Sequence, residues 1–483
     1  MGFRSKFENA EKALTFNDVL LLPGWTTLEP TEAKVMSKVT KNIQLNIPLI
    51  ASPMDTVTEA EMAIALAREG ALGVLHRNCS VKEEVEMARR VKRAEAVIIR
   101  DVVTVSPEST VEELLALMEE HNIKGFPVVD GESRLRGIVT WRDVRLAESN
   151  LKIRDVMTED VITGTEDTDL EQAMKILHDH RIEKLPIVDN DGRVQGLITM
   201  KDITLKGKFQ EAVRDDEGRL LCAAAISPFD LPRAKAIDIY VDILVLDVSH
   251  FHNKNCFDAT KKILKEVEAE VIVGNVGTYQ AAEDIITQLD GIAGLRVGIG
   301  SGSICSTSVV TRAGAPTVYA TSQVADAVKD YEVDIPVIAD GGMRNPGDVV
   351  VAMAVGASCA MMGNVFAGCS ESPGRLVAME GRYYKEYYGM GSAKAREKRF
   401  VQDRYNKPSK SINEGVEGWV PYSGPVKDIL GEFTGGLRAA MGYIGAGTIP
   451  EIWEKAKLAL VTERGASEAA PHDIFRPGPS RTL

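Results

Sequence analysis

At 483 residues the chain is too long for a single ordinary core, and a prior of roughly 100–200 residues per domain suggests two to four domains. Its 44% hydrophobic and 26% charged residues are the proportions of a folded globular protein, which sets aside disordered and fibrous classes. With 57 Lys and Arg against 70 Asp and Glu, the net charge of −13 argues against a general affinity for nucleic acid or anionic membranes.

The amino-terminal stretch "MGFRSKFENAEKAL" contains no apolar signal region. Lys6 breaks the myristoylation pattern that Gly2 would begin, and no apolar run approaches the roughly 18 residues that span a bilayer. Six cysteines, at 79, 222, 256, 305, 359 and 369, form no CxxC pair and no metal-ligand spacing, as expected of reduced thiols. A cytoplasmic location follows as the expectation.

Short apolar strands recur along the chain, separated by helical stretches. They are "LIASPM" (49–54), "GVLH" (73–76), "CAAAI" (222–226), "ILVLDV" (243–248), "VIVGNV" (271–276), "RVGIG" (296–300), "PVIADGG" (336–342) and "CAMMGN" (359–364). Eight strands alternating with helices predict an α/β fold, a (β/α)8 TIM barrel; an open doubly wound sheet is the alternative, weakened because no GxGxxG opens a helix after a first strand.

Between the second and third strands lies an internal repeat. The segment starting at Val102 aligns without a gap with the one starting at Val161, an offset of 59 that pairs Pro127 with Pro186, Asp130 with Asp189, and Asp143 with Asp202. Each copy has a helix with apolar residues at helical spacing (Val111, Leu114, Leu115, Met118; then Leu170, Ala173, Met174, Leu177) followed by two short strands. The expected organisation is a first barrel part at 1–98, a module at 99–203, and a second barrel part at 204–483. Thr140 with Asp143, and Thr199 with Asp202, fit either of two jobs: holding a nucleotide ribose, or capping the helix that follows.

A TIM barrel carries its chemistry at the carboxyl ends of its strands. Ser52, Asp247, Asn275, Cys305, Asp340 and Gly363 fall there or just beyond. The run "GIGSGSICSTS" (298–308) places one thiol among glycines, which let a planar electrophile approach the most nucleophilic side chain available at neutral pH. "IADGGM" and "MMGN" end the seventh and eighth strands, where barrels often bind phosphate through backbone N–H groups. His250 and His252 have no third ligand nearby and read as polar loop residues.

The segments "LTFNDVLLLP", "ASPMDTVTEAEMAIALAREGALGVLHRN", "GSGSICST", "IADGGMRNPGD", "YYGMGS", "QDRY", "EGVEGWVPYSG" and "GLRAAMGYIGA" run nearly end to end. In this order they closely resemble the IMP dehydrogenase family, whose members oxidise IMP to XMP with NAD, and the repeat resembles a pair of CBS motifs. The resemblance implies that Cys305 attacks C2 of the purine and that Thr307 helps activate the hydrolytic water. Arg404 and Tyr405 would belong to a mobile flap at about 385–425, with Arg404 proposed in the family as general base. Implied IMP contacts are Ser52, Met54, Ser303, Asp340, Gly341, Gly342, Gly363, Asn364, Tyr387, Gly389, Met390, Gly391 and Glu414.

For NAD the resemblance implies Asp247, Ser249, Asn275, Gly298 and Gly300, and for a potassium ion the carbonyls of Gly300, Gly302 and Cys305. It also implies adenine or guanine nucleotides at the CBS pair and a homotetramer that doubles to an octamer. Three departures stand out: Asn364 where many relatives have serine, "DVSHFHN" near Asp247, and a tail without the Glu-Gly-Gly that completes the potassium site in some relatives. GMP reductase, and a catalytically silent nucleotide sensor, are the competing readings.

Overall fold

The computed structural model describes residues 4–94, 102–121, 123–165, 167–397 and 414–471. The chain divides into two compact units: residues 1–92, 211–215 and 220–483, and residues 93–210 with 216–219.

The first unit is a closed barrel of eight parallel strands: β1 (Leu49–Ala51), β2 (Leu72–Leu75), β3 (Ala223–Ile226), β4 (Ile243–Asp247), β5 (Glu270–Val276), β6 (Ile292–Val297), β7 (Val337–Asp340) and β8 (Cys359–Met362). Closure is direct, because β8 pairs with β1 through Met362 and Ala51, and β2 pairs with β3 through Val74 and Ala223. The open-sheet alternative is thereby excluded. Strands such as "LGVL" and "AAAI" are buried at every residue, as parallel strands covered on both faces must be.

Each of the eight sequence stretches contributes a strand; several end before the expected last residue, as at Ala51 and Met362, and the largest shift is at the sixth. β6 begins at Ile292, four residues before the expected Arg296, because Gly294 and Arg296 interrupt the apolar run that marks a strand. A small hairpin, Ser37–Lys38 with Gln44–Leu45, lies under the amino-terminal ends of the strands. There the Lys41 N–H donates to the Ala293 carbonyl at 3.1 Å. The opposite end, where strands give way to loops, is left open for chemistry.

Past β8, strands Leu376–Met379, Arg382–Tyr388 and Glu417–Pro421 form an antiparallel sheet. The second and third of these strands flank residues 398–413, so Arg404 and Tyr405 lie outside the described residues. The ends of the range expected for a flap are therefore sheet.

The second unit contains both copies of the repeat. The helices Val111–His121 and Leu170–Asp179 pack on hairpins Gly125–Val129/Leu135–Thr140 and Lys184–Val188/Val194–Thr199. Val111, Leu114 and Met118 are buried in one core, Ala173 and Leu177 in the other. Met174 is 46% exposed, so the apolar stripe of the second helix is narrower than its spacing predicts. In each hairpin turn an aspartate accepts two backbone N–H groups: Asp130 from Glu132 and Arg134, Asp189 from Asp191 and Arg193. The two turns also pair with each other. Leu135 N–H donates to the Gly192 carbonyl at 2.9 Å, and Val194 N–H donates to the Ser133 carbonyl at 3.0 Å. The offset of 59 interchanges these two bonds, so the copies are related by a local two-fold axis.

Candidate active site

The loops at the carboxyl ends of the barrel strands enclose a cavity of about 730 Å³. That lies within the roughly 300–1,000 Å³ typical of small-molecule sites. It is lined by Ser52, Met54, Asp247, Ser249, Asn275, Gly298, Gly300, Gly302, Ser303, Cys305, Thr307, Asp340, Gly341, Gly342, Gly363, Asn364, Tyr387, Gly389, Met390, Gly391 and Glu414. The structure thus gathers every described residue expected to touch substrate, cofactor or potassium into one cavity.

Cys305 is the exposed cysteine; the other five are buried. Burial pushes the Cys79 thiol up to about 12 and raises those of Cys222 and Cys359, which leaves them unsuited to act as thiolate nucleophiles. The Cys305 loop is held by backbone. Cys305 N–H donates to the Gly302 carbonyl at 3.0 Å, Ser306 N–H to the Glu414 carbonyl at 3.2 Å, and Val416 N–H to the Ile304 carbonyl at 3.0 Å. Gly300 has φ +78°, and a Cβ there would sit 2.1 Å from Ser308 Oγ, so glycine is required at this turn.

A chain of donors runs from the thiol. Cys305 Sγ–H donates to Thr307 Oγ1 at 3.3 Å, and the Thr307 hydroxyl donates to Glu414 Oε2 at 3.0 Å. Nucleophile, hydroxyl and carboxylate stand in line, an arrangement that can pass a proton from the reacting centre to Glu414.

Two carboxylates sit deeper, tied together by Arg296. Its Nη1 donates to Asp247 Oδ1 at 2.6 Å, its Nε donates to Asp340 Oδ2 at 3.0 Å, and Nη2 lies 2.9 Å from the same oxygen. Asn275 Nδ2 also donates to Asp340 Oδ2, at 2.8 Å. One Asp340 oxygen therefore takes three donors, while Oδ1 accepts none among the described residues and is available to ribose hydroxyls. Burial alone would raise the Asp247 carboxyl, but Arg296 and Arg77 outweigh it and hold it below the usual carboxylate range. The sequence reading missed Arg296, although an arginine inside the apolar strand "IAGLRV" is a signal in itself, since buried charges need partners.

At the expected phosphate end, Gly341 and Gly342 have φ +80° and +82°. A Cβ on Gly363 would come within 2.8 Å of Tyr387 Oη and 3.0 Å of Met54 Sδ. These backbone N–H groups can approach a phosphate only because no side chains intervene. Arg344, two residues past Gly342, also lines the cavity and was not foreseen. Burial raises the Tyr387 phenol, which keeps it a neutral hydroxyl.

In the repeat module, the Thr140 N–H and hydroxyl both donate to Asp143 Oδ2, each at 2.7 Å, which caps the helix Trp141–Val144. Thr199 ends a strand and Asp202 lies in the helix Met200–Lys208; the side chain of Asp202 is outside the described set. His252 Nε2 lies 2.7 Å from Asp284 Oδ2, within hydrogen-bond distance. No helix among the described residues is long and apolar enough to cross a membrane.

Residues 13–472 match the profile described as "IMP dehydrogenase / GMP reductase domain". An inosine-5'-monophosphate dehydrogenase of Korarchaeum cryptofilum is 54% identical over 470 residues, covering 97% of this chain and 98% of that one. The protein of the same name from Thermoplasma acidophilum is 48% identical, covering 98% and 96%. Among solved structures, a GMP reductase variant from Trypanosoma brucei in complex with guanosine 5'-monophosphate superposes with a TM-score of 0.88 at 32% identity, covering 97% of this chain and 100% of that one. With the barrel, the thiol loop and these likenesses together, the chain belongs to the IMP dehydrogenase / GMP reductase family.

Proposed function

We propose that this protein is an oxidoreductase that converts IMP to XMP, with NAD⁺ taking up the hydride. The observation that carries the reading is the Cys305–Thr307–Glu414 chain at the mouth of the cavity. Cys305, exposed to solvent, gives up its thiol proton there; its Sγ then bonds to C2 of the purine and the hydride leaves C2, so the base is left as a thioimidate on the enzyme. Water then adds at C2, the C–S bond breaks, and XMP and free Cys305 are released.

The water's proton needs an acceptor. Arg404 is chemically awkward in that role, since a guanidinium has a pKa above 12 and stays charged. Glu414 is a carboxylate 3.0 Å from the Thr307 hydroxyl, and we assign it the proton, passed through that hydroxyl. Arg404 and Tyr405 would then serve the hydrolytic step as flap residues.

Asp340 Oδ1 holds the substrate ribose, and Gly342, Gly363 and Asn364 hold the phosphate. Asp247, 22% exposed on its side chain, presents acceptors to the cofactor ribose, beside Ser249 and Asn275. A potassium ion suits the carbonyls of Gly300, Gly302 and Cys305, because hard cations prefer oxygen; it would hold the thiol loop in shape.

The reading includes nucleotide regulation at the repeat module. Capping uses one Asp143 oxygen, Oδ2, and Oδ1 accepts no bond among the described residues. It also includes assembly into tetramers. Trp25 and Tyr443 are 91% and 68% exposed, on backbone segments joined by the Gly24 N–H bond to the Tyr443 carbonyl, and a second copy would cover such apolar side chains.

Oxidation rather than reduction is favoured by the 54% identity to a named dehydrogenase, against 32% to the reductase. The superposition on that reductase keeps GMP reduction as the second reading. Intact-protein mass spectrometry after mixing with IMP and NAD⁺ tests the mechanism. A purine adduct on Cys305, absent in Cys305→Ser, is expected; an adduct on another cysteine contradicts it.

A further inference from the structure

We propose that Arg296 is a positioning residue that couples the substrate half of the cavity to the cofactor half. The inference rests on the assignment of Asp340 to the substrate ribose and Asp247 to the cofactor ribose.

One guanidinium is shared by two carboxylates from different strands, Asp247 at the end of β4 and Asp340 at the end of β7. Its side chain is 9% exposed, while those of Asp247 and Asp340 are 22% and 14% exposed. The arginine is thus largely withdrawn from solvent, and each carboxylate keeps an edge on the cavity. Room for it is built in. Gly274 is its partner across β5 and β6, and a Cβ there would meet the Arg296 backbone and Cβ at 2.6 Å. Asn275, the next residue, donates both to Asp340 and to the Gly298 carbonyl at 2.7 Å, which braces the same corner.

A planar fork bonded to both carboxylates fixes their orientations together. When ribose hydroxyls donate to Asp340 Oδ1, that carboxylate and the guanidinium are ordered in one arrangement. Asp247 is then already set for the second ribose, so the second ligand pays less to order its site. By linkage the effect is reciprocal: each ligand tightens the other by the same factor. A lysine keeps the buried charge but presents a single ammonium, and cannot hold both carboxylates in a fixed fork.

The test uses a Cys305→Ser parent of the full chain, in which both ligands can bind without reaction. Calorimetry gives the affinity for NAD⁺ with and without saturating IMP. In the parent, IMP is expected to tighten NAD⁺ by roughly 5-fold or more, within the usual range of coupling between sites. With Arg296→Lys added, that ratio is expected to fall toward 1 while both ligands still bind. Arg296→Gln is the second variant should lysine fail to fold, and circular dichroism identifies the folded protein. A merely structural arginine would weaken both affinities and leave the ratio intact, and direct stacking of the ligands would also preserve it; either result overturns the proposal. So does a parent ratio of 1 or less. If the parent binds neither IMP nor NAD⁺, the reading of the cavity itself has failed; if it binds both and only the ratio disobeys, Arg296 alone was misassigned.

Discussion

The hydroxyl of Thr307 donates to Glu414 Oε2 at 3.0 Å while accepting from the Cys305 thiol at 3.3 Å. The two oxygens belong to residues 107 positions apart, brought together because the Cys305 loop pairs backbone to backbone with the segment at Glu414–Val416.

If Glu414 takes the proton during hydrolysis, Glu414→Gln should damage that step alone. Removing a general base typically costs 10²–10⁴-fold, so steady-state turnover should fall roughly 100-fold or more. Rapid-mixing absorbance should still show a first burst of NADH about equal to the enzyme present, followed by a stall. Loss of the burst along with turnover would mean that Glu414 acts before the hydride leaves.

Arg296 also has a stability signature. Arg296→Gln leaves two largely buried carboxylates without their shared cation, a change that costs about 3–5 kcal/mol for buried pairs in general. The wild-type Asp247 carboxyl lies below its unfolded value of about 3.9, so its contribution is present above that pH and is lost as pH falls through the lower folded value. Without Arg296, only Arg77 is left to oppose burial, so the same carboxyl moves up from that lowered value. Urea midpoints should therefore show a gap between wild type and variant that is flat from about pH 5 to 8 and narrows below about pH 4. A gap that widens on acidification would contradict the pairing.

Removing the repeat module should leave a working barrel. Lys92 and Asp215, just before and just after the module, are joined by a 2.8 Å ion pair, and Lys92 Nζ also lies 2.6 Å from Asp242 Oδ2 at the start of β4. The chain leaving the first unit at Lys92 and the returning stretch 211–215 are thus already held together. Deleting residues 99–203 leaves ample chain to link them. The deletion protein should stay soluble and turn over at near wild-type rate, while any response to added ATP or GTP disappears. Insoluble protein, or a nucleotide response that survives, would count against this division.

Much of this was legible in the sequence, because it depends on local pattern. Fully apolar strands ending in glycine or aspartate announce a parallel barrel, and they place Cys305, Asp247 and Asp340 at the same end. The 59-residue repeat was plain, and its symmetry reappears as the interchanged bonds between Leu135, Gly192, Val194 and Ser133. What escaped was relational. Arg296 hides inside an apolar strand and earns its meaning only from two partners on other strands. The Thr307–Glu414 contact spans a separation that no spacing rule reaches. Met174 fits the helical period, yet lies at the edge of the buried face, where packing rather than periodicity decides.

The most direct measurement of the central claim is turnover in two tubes, one holding enzyme with IMP and NAD⁺, the other enzyme with GMP and NADPH. Oxidation of IMP should give sustained growth of NADH absorbance and XMP in the first tube, with no loss of NADPH and no ammonia in the second. Turnover confined to the second tube, with IMP as product, would contradict the account and make this chain a reductase.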